Sequence, residues 1–177
     1  MLIPYRDARP SLHPNAWVAP TAVITGDVEI GEGSSVWFGV VARGDVSPIR
    51  IGRETNIQDG CILHTSSDSR LTVGDRVSVG HMVVLHGCEV GDGALIGMGS
   101  IVMDGAVVGR NCIVAAGSLV TSKSRFDDGQ LILGRPAKVV RAATADEIAN
   151  NERRSQRYVA MALQYASREG PRGGGAR

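Results

Sequence analysis

The residues best suited to chemistry in this sequence are three histidines that lie within 23 positions, His64, His81 and His86. Imidazole nitrogens bind divalent metals, and Zn–N bonds are about 2.0–2.1 Å long. Three converging imidazoles could therefore hold one ion, which could in turn activate water. Nearness in sequence does not guarantee convergence, so the elements that carry the histidines decide whether such a site can form.

Those elements belong to a repeat with a period of six residues. An amphipathic helix repeats every 3.6 residues and a half-buried strand every two, so neither explains this period. Short strands with a corner every six residues explain this period, and such strands coil into a solenoid in which each layer buries the apolar side chains of the next. We expect the pattern to fade after Val120. The repeating positions are Val18, Ile24, Ile30, Val36, Ala42, Ile51, Ile57, Leu63, Val73, Val79, Leu85, Val90, Ile96, Val102, Val108, Val114 and Val120.

Two insertions interrupt the repeat, RGDVSP after Ala42 and TSSDSR after His64. Insertions in solenoids project as loops, usually on a working face. Hexapeptide repeats of this kind resemble the left-handed β-helix superfamily. That resemblance implies a triangular section, three hexapeptides in each coil and a left-handed turn.

Counting repeats predicts where the histidines lie. Leu63 and Leu85 are three repeats apart, which is one coil, and each is followed by a histidine. His64 and His86 should therefore be stacked about 4.8 Å apart. His81 occupies a different place in its hexapeptide and should point away from the other two within one chain. A closed threefold assembly would bring His81 of one subunit against the stacked pair of the next. The alternative is a purely structural histidine stack.

Composition narrows the class of protein. The 177 residues are expected to form one domain. Because 19 basic residues nearly balance 18 acidic ones, the composition implies no electrostatic field strong enough to attract nucleic acid or an anionic membrane surface. The first residues lack the order of a signal peptide, in which a basic segment is followed by an apolar one, and no apolar run is long enough to cross a bilayer. We therefore predict a cytoplasmic protein. Cys61, Cys88 and Cys112 are odd in number and lack CxxC spacing, which indicates reduced, packed thiols.

The C-terminal part predicts a helix. Thr144 followed three residues later by Glu147 is a capping-box pattern, and Ile148, Tyr158, Ala162 and Tyr165 could form a packed stripe. We therefore divide the chain into a β-helix domain over residues 1–143, with an N-terminal lead-in and a closing strand, and a helix packed on it over 144–168. A disordered tail is predicted over 169–177.

Three strings carry a resemblance to a known family: ARGDVSPIRIG, TNIQDGCILH and VGHMVVLHGCEVGDGALIGMGS, at 42–52, 55–64 and 79–100. Their order and spacing resemble gamma-class carbonic anhydrases and related carbonic-anhydrase-like hexapeptide proteins, from about residue 11 through the terminal helix. The resemblance implies a mainly β, left-handed parallel β-helix with a C-terminal α-helix, assembled as a homotrimer. It also implies that His64, His81 and His86 bind Zn²⁺, or Fe²⁺ or Co²⁺, between neighbouring subunits.

The same resemblance implies a reaction, the reversible hydration of carbon dioxide to bicarbonate by a metal-bound hydroxide. Gln58 would orient that hydroxide and Asn56 would belong to the surrounding hydrogen-bond network. Arg43 would pair with Asp59 of a neighbouring subunit, with Asp45 in a supporting position. The small-molecule partners implied are therefore carbon dioxide and bicarbonate.

The sequence departs from the fully active archaeal type of gamma-class carbonic anhydrase at the glutamate that carries the proton away from the site. Val46 stands where that type carries a glutamate, and the second insertion contains only Asp68, which implies a lower rate. Tyr158 matches a tyrosine that reaches toward the metal in shorter relatives, although a packed helix aromatic is the alternative. Two other functions stay open: acyl transfer or thioester hydrolysis with coenzyme A, and a metal-binding scaffold trimer with weak catalysis.

Overall fold

Twenty short strands and one helix follow the hexapeptide pattern through residues 1–169, the part of the chain that the computed structural model describes. The helix α1 spans Ala145–Glu169. In chain order the strands are β1 (Leu2–Ile3), β2 (Ser11–Leu12), β3 (Trp17–Val18), β4 (Val23–Ile30), β5 (Ser35–Val36), β6 (Val41–Ile51), β7 (Asn56–Ile57), β8 (Ile62–His64), β9 (Leu71–Val73), β10 (Ser78–Val79), β11 (Val84–His86), β12 (Glu89–Val90), β13 (Leu95–Ile96), β14 (Ile101–Val102), β15 (Val107–Val108), β16 (Ile113–Val114), β17 (Leu119–Val120), β18 (Arg125–Phe126), β19 (Gln130–Gly134) and β20 (Ala137–Ala142).

Each coil contributes strands to three stacks, within which neighbouring coils pair in parallel. The first face contains β1, β8, β11, β14 and β17 with the start of β4 and β6; the second contains β2, β9, β12, β15 and β18 with the end of β4 and β6; the third contains β3, β5, β7, β10, β13, β16 and β19. The predicted mainly β solenoid with a C-terminal helix is confirmed, and its hexapeptide repeat is that of a left-handed β-helix.

The aliphatic residue of each hexapeptide forms the core. Ile57, Leu63, Leu85 and Val102 have no exposed side-chain surface, and burial stabilises each by about 1.5–3 kcal/mol. Close stacking also requires glycine at selected corners. A side chain on Gly80 would place its Cβ only 2.8 Å from a backbone nitrogen of the next coil.

The solenoid continues for two hexapeptides beyond the expected end of the pattern. Phe126 pairs with Val108 on the second face, and Ile132 pairs with Val114 on the third. The expectation that the repeat fades after Val120 was wrong because an aromatic residue fills the aliphatic position at Phe126. Strand β19 then turns back into the antiparallel β20 and closes the end.

Helix α1 begins one residue after the predicted start, with the capping box formed. The backbone N–H of Glu147 donates to Thr144 Oγ1 at 3.2 Å, and the backbone N–H of Thr144 donates to Glu147 Oε2 at 2.8 Å. The Arg141 guanidinium beside Glu147 holds the pKa of that carboxyl at about 2. The predicted tail lies outside the described residues, apart from Glu169 at the end of α1.

Helix α1 lies across the third face, where it contacts β3, β5, β7 and β10. Ala162 is buried there and Tyr158 is half-buried, while the ring of Tyr165 packs among aromatic residues. Ser155, which the apolar pattern did not single out, is also buried and donates to the carbonyl oxygen of Glu54 at 2.5 Å. Within residues 1–169, no helix is long and apolar enough to span a membrane.

Candidate metal centre

The register of the first face places His64 and His86 side by side at the ends of β8 and β11. Nδ1 of His64 lies 3.0 Å from Nε2 of His86, and the ring centroids are 5.0 Å apart. Both rings are half-buried. The distance between the rings follows from the spacing between hydrogen-bonded strands. One coil of the solenoid therefore suffices to bring two imidazoles together.

A carboxylate faces the second nitrogen of each ring. His64 Nε2 lies 3.2 Å from Asp45 Oδ1, and His86 Nδ1 lies 2.8 Å from Asp104 Oδ1. The Arg43 guanidinium donates to the other oxygen of Asp45 at 2.7 Å. A carboxylate that accepts the N–H of one ring nitrogen leaves the lone pair of the other nitrogen available to a metal. The facing nitrogens of His64 and His86 are thereby left with lone pairs that could bind a metal ion.

Both carboxylates are ionised acceptors at neutral pH. Burial alone would raise the pKa of Asp45, but hydrogen bonds from Arg43 and His64 outweigh it and hold that pKa below its ordinary value. For Asp104, burial is likewise outweighed by hydrogen bonds from His86 and Ser66, which lower its pKa. Ser66 belongs to the second insertion and donates to Asp104 Oδ1 at 3.1 Å. The insertion thus helps to hold the carboxylate that orients His86.

His81 lies at the corner that leads from the third face into the first. Its Nδ1 lies 2.9 Å from Asp59 Oδ2, and its side chain is 43% exposed. It precedes His86 by five residues, a span of up to about 16 Å in extended chain. Within residues 1–169, no three His, Cys, Asp or Glu side chains are placed to hold one metal ion. One chain therefore presents the pair and the third histidine at opposite margins of its first face.

The donor set fits a divalent transition metal. Two nitrogens bound to one tetrahedral ion at about 2.0–2.1 Å stand about 3.3–3.4 Å apart, and those of His64 and His86 are separated by 3.0 Å. Moving the two nitrogens apart by a few tenths of an ångström would accommodate the ion. Carboxylate-oriented imidazoles are characteristic zinc ligands. Two imidazoles alone would not complete such a site, so a metal centre here would need a third ligand from outside this pair.

Gln58 and Asn56 form a buried amide chain on the outer side of the third face. Gln58 Nε2 donates to Asn56 Oδ1 at 2.9 Å, and Asn56 Nδ2 donates to Ser78 Oγ at 2.9 Å. These bonds fix the Gln58 amide and leave its carbonyl oxygen available as an acceptor. Gln58 lines a cavity that also contains His81.

Tyr158 reaches the same cavity from α1. Its ring packs edge-on against Trp37, with the centroids 5.3 Å apart, while the residue lines the cavity beside His81 and Gln58. It is thus both a packed helix aromatic and a wall of the candidate site. Burial, followed by the negative charge of Asp59, raises the pKa of Tyr158, so its hydroxyl is a hydrogen-bond donor at neutral pH.

The predicted interface pair is not formed within one chain. Arg43 pairs with Asp45 at 2.7 Å, and Asp59 faces His81. An ion pair between Arg43 and Asp59 would join two subunits and stays a prediction.

Asp104 and Ser66 are site residues that the sequence interpretation did not identify. A signal for Asp104 was present in the repeat. Leu85 pairs with Val102 in the next coil, which places Asp104 opposite Gly87, next to His86. Counting one coil forward from Gly87, the residue after His86, would have found the carboxylate.

The outer side of the first face is apolar between the two histidine margins. Outward positions on an exposed strand are ordinarily polar, as on the second face, where they include Arg50, Thr72 and Glu89. An apolar strip of this kind marks an interaction surface. Its residues are Val41, Ile62, Val84, Ile101 and Leu119, all half-buried except for the exposed Ile62.

Comparison with known proteins places the chain in a family. A family model described as bacterial transferase hexapeptide, six repeats, matches residues 87–122. The protein named carbonic anhydrase in Geobacillus kaustophilus is 46% identical over 165 residues, which cover 93% of this chain and 91% of that protein. Gamma carbonic anhydrase 2, mitochondrial, of Arabidopsis thaliana is 42% identical over 167 residues, covering 91% of this chain and 60% of that protein.

A solved structure shares the fold along nearly the whole chain. The hexapeptide transferase family protein from Anaplasma phagocytophilum has a TM-score of 0.90 at 43% identity, covering 93% of this chain and 97% of that one. The names of these similar proteins span two activities, carbonic anhydrase and transferase. The chain belongs to the family of gamma-class carbonic anhydrases and carbonic-anhydrase-like hexapeptide-repeat proteins.

Proposed function

We propose that this protein is a metal-dependent enzyme that hydrates carbon dioxide reversibly to bicarbonate at sites shared between the subunits of a homotrimer. One observation carries the proposal: His64 and His86 face each other at 3.0 Å with their outer nitrogens held by carboxylates. His81 lies at the opposite margin of the same apolar face. In a closed ring of three subunits, one margin of each chain meets the other margin of the next.

Each margin contributes a different part of the shared site. His64 and His86 would supply two ligands, and His81 of the adjacent subunit would supply the third. Zn²⁺ suits this set of imidazoles, as do Fe²⁺ and Co²⁺. The apolar strip around Ile62 would be buried against its neighbours, which would offset its exposure in a single chain.

The side chains around the metal would act by orienting the reactants through hydrogen bonds. A divalent ion held by three neutral imidazoles lowers the pKa of coordinated water, to about 7 in zinc carbonic anhydrases, and so supplies hydroxide at neutral pH. Gln58 accepts a hydrogen bond from the nucleophile and holds it toward the carbon of carbon dioxide. Asn56 keeps the Gln58 amide in that orientation, and the Tyr158 hydroxyl donates to a product oxygen.

Support for the enzymatic assignment also comes from similar proteins named carbonic anhydrase. A slow rate is proposed because Val46 and the short second insertion provide no glutamate to carry the proton away. The name of the Anaplasma protein includes the word transferase, and acyl transfer is the competing function. That chemistry requires a histidine base but no cluster of metal ligands.

Metal content measured together with stopped-flow carbon dioxide hydration tests the proposal. We expect about one zinc per chain and measurable hydration, both lost in His81→Ala. The matched control is His13→Ala, which removes an exposed histidine of the N-terminal segment and should retain both. Zinc without hydration would favour the scaffold function. Metal-independent thioester turnover, in a parallel acyl-coenzyme A assay, would favour acyl chemistry.

A further inference from the structure

A cavity of about 560 Å³ lies between α1 and the third face, next to His81. Its floor is formed by outward residues of β13 and β16, including Leu95 and Ile113. On the two preceding strands of this face, β7 and β10, which α1 contacts, the equivalent outward positions carry Asn56 and Ser78. The third face therefore becomes apolar where the cavity lies.

The wall of the cavity is basic. Arg154, Arg157 and Tyr158 line it from α1, and their spacing places them on one side of the helix. The Arg154 guanidinium donates to the Asn151 side chain at 3.2 Å. Within residues 1–169, neither Arg154 nor Arg157 pairs with a carboxylate, and no Asp or Glu lines the cavity. A positive wall over an apolar floor is complementary to an anion with a hydrocarbon part.

We propose that this cavity binds a short aliphatic carboxylate. The carboxylate would accept hydrogen bonds from Arg154 and Arg157, for which guanidinium geometry is well suited. The Tyr158 hydroxyl would donate a further hydrogen bond, and the hydrocarbon chain would lie over Leu95 and Ile113. The volume is that of an ordinary small-molecule site, apolar with a few polar groups.

This ligand class extends the proposed function of the same site. Carbon dioxide and bicarbonate carry no hydrocarbon chain, so they leave the apolar floor unused. The inference rests on the proposed function for the role of His81, because a ligand in this cavity would lie beside that histidine. Binding itself needs residues of one chain only, so it can be measured without the metal.

Calorimetric titration with hexanoate, acetate and hexylamine tests the chemistry of the cavity. We expect hexanoate to bind more tightly than acetate, and hexylamine, which is cationic, not to bind. The double substitution Arg154→Gln and Arg157→Gln should lower the affinity for hexanoate at least about tenfold, because hydrogen bonds from charged groups are lost. Arg153→Gln is the matched control, since Arg153 is exposed and bonded to Asn150, and it should leave the affinity unchanged.

The outcomes separate this inference from the proposed function. His64→Ala should abolish hydration but retain hexanoate binding. Retained hexanoate binding supports the cavity even if the unsubstituted protein shows no hydration. Equal affinities for hexanoate and acetate would overturn the inference, as would binding of hexylamine or an unchanged affinity in the double arginine variant.

Discussion

Nδ1 of His86 lies 2.8 Å from Oδ1 of Asp104, a residue of the following coil. The carboxylate fixes the tautomer and the direction of the ring, so that Nε2 of His86 faces His64. Asp45 has the same relationship to His64 from the preceding coil. Four consecutive coils therefore hold the imidazole pair between two carboxylates.

Asp104→Ala should weaken zinc binding by about 10–100-fold, the usual effect of removing a group that orients a metal-bound histidine. The ring of His86 would then lose its fixed orientation, while the core residues beneath it stay in place. Competition with a chromophoric chelator measures the affinity. The control is Asp68→Ala, because Asp68 is exposed and contacts Ser67 of its own loop. An unchanged affinity in Asp104→Ala would show that the carboxylate has no such role.

The repeat predicts the pairing of His64 with His86 because strands one coil apart must align if their aliphatic residues are to stay inside. It also places Asp59 beside His81. The cavity could not be predicted, since its existence depends on where α1 crosses the third face. Handedness is likewise absent from periodicity and comes from resemblance alone. Ser155 was missed because apolar spacing says nothing about a buried hydroxyl bonded to a backbone carbonyl.

The core beneath the histidines should be sensitive to truncation. Leu85 has no exposed surface, and Leu85→Ala should lower the free energy of unfolding by about 2–5 kcal/mol, through lost burial and the cavity left behind. Urea denaturation measures this loss. Leu163→Ala, at a position on α1 that is 60% exposed, should change it by less than about 0.5 kcal/mol. Equal effects of the two substitutions would contradict the stacked core.

The cysteines should be unreactive in the folded protein. Burial raises the pKa of Cys61 to about 12 and that of Cys88 to about 12, and thiolate is the reactive form. At about pH 8, a disulfide-exchange reagent should label no native thiol but all three after unfolding. Ser67→Cys, on an exposed loop, should add one thiol that reacts at once. Rapid labelling of the native protein would contradict this burial.

The same pKa shifts predict a loss of stability in alkali. The folded state raises the pKa of the Cys61 thiol from 9.0 to about 12, so it keeps a proton that the unfolded chain releases between these values. The contribution to stability is full below about pH 9 and falls as the pH rises toward 12. Urea midpoints measured across this range should decline, and Cys61→Ala should flatten the decline. A pH dependence identical in both proteins would refute the assignment.

The apolar strip of the first face should be essential for assembly. Ile62 is 41% exposed in a single chain, and Ile62→Lys would place a charge where the subunits meet. We expect monomers in analytical ultracentrifugation, together with loss of bound zinc. Thr72 lies on the second face of the same coil, so the Thr72→Lys variant should remain a trimer and keep its zinc. Zinc-loaded trimers of Ile62→Lys would contradict the placement of the interface.

A crystal structure of the zinc-supplemented protein, with anomalous scattering measured at the zinc edge, tests the shared site most directly. We predict one anomalous peak per chain at each subunit boundary, about 2.0–2.1 Å from nitrogens of His64 and His86 of one subunit and of His81 of the next. Trimers without such a peak, or a peak whose three histidines all come from one chain, would contradict the account.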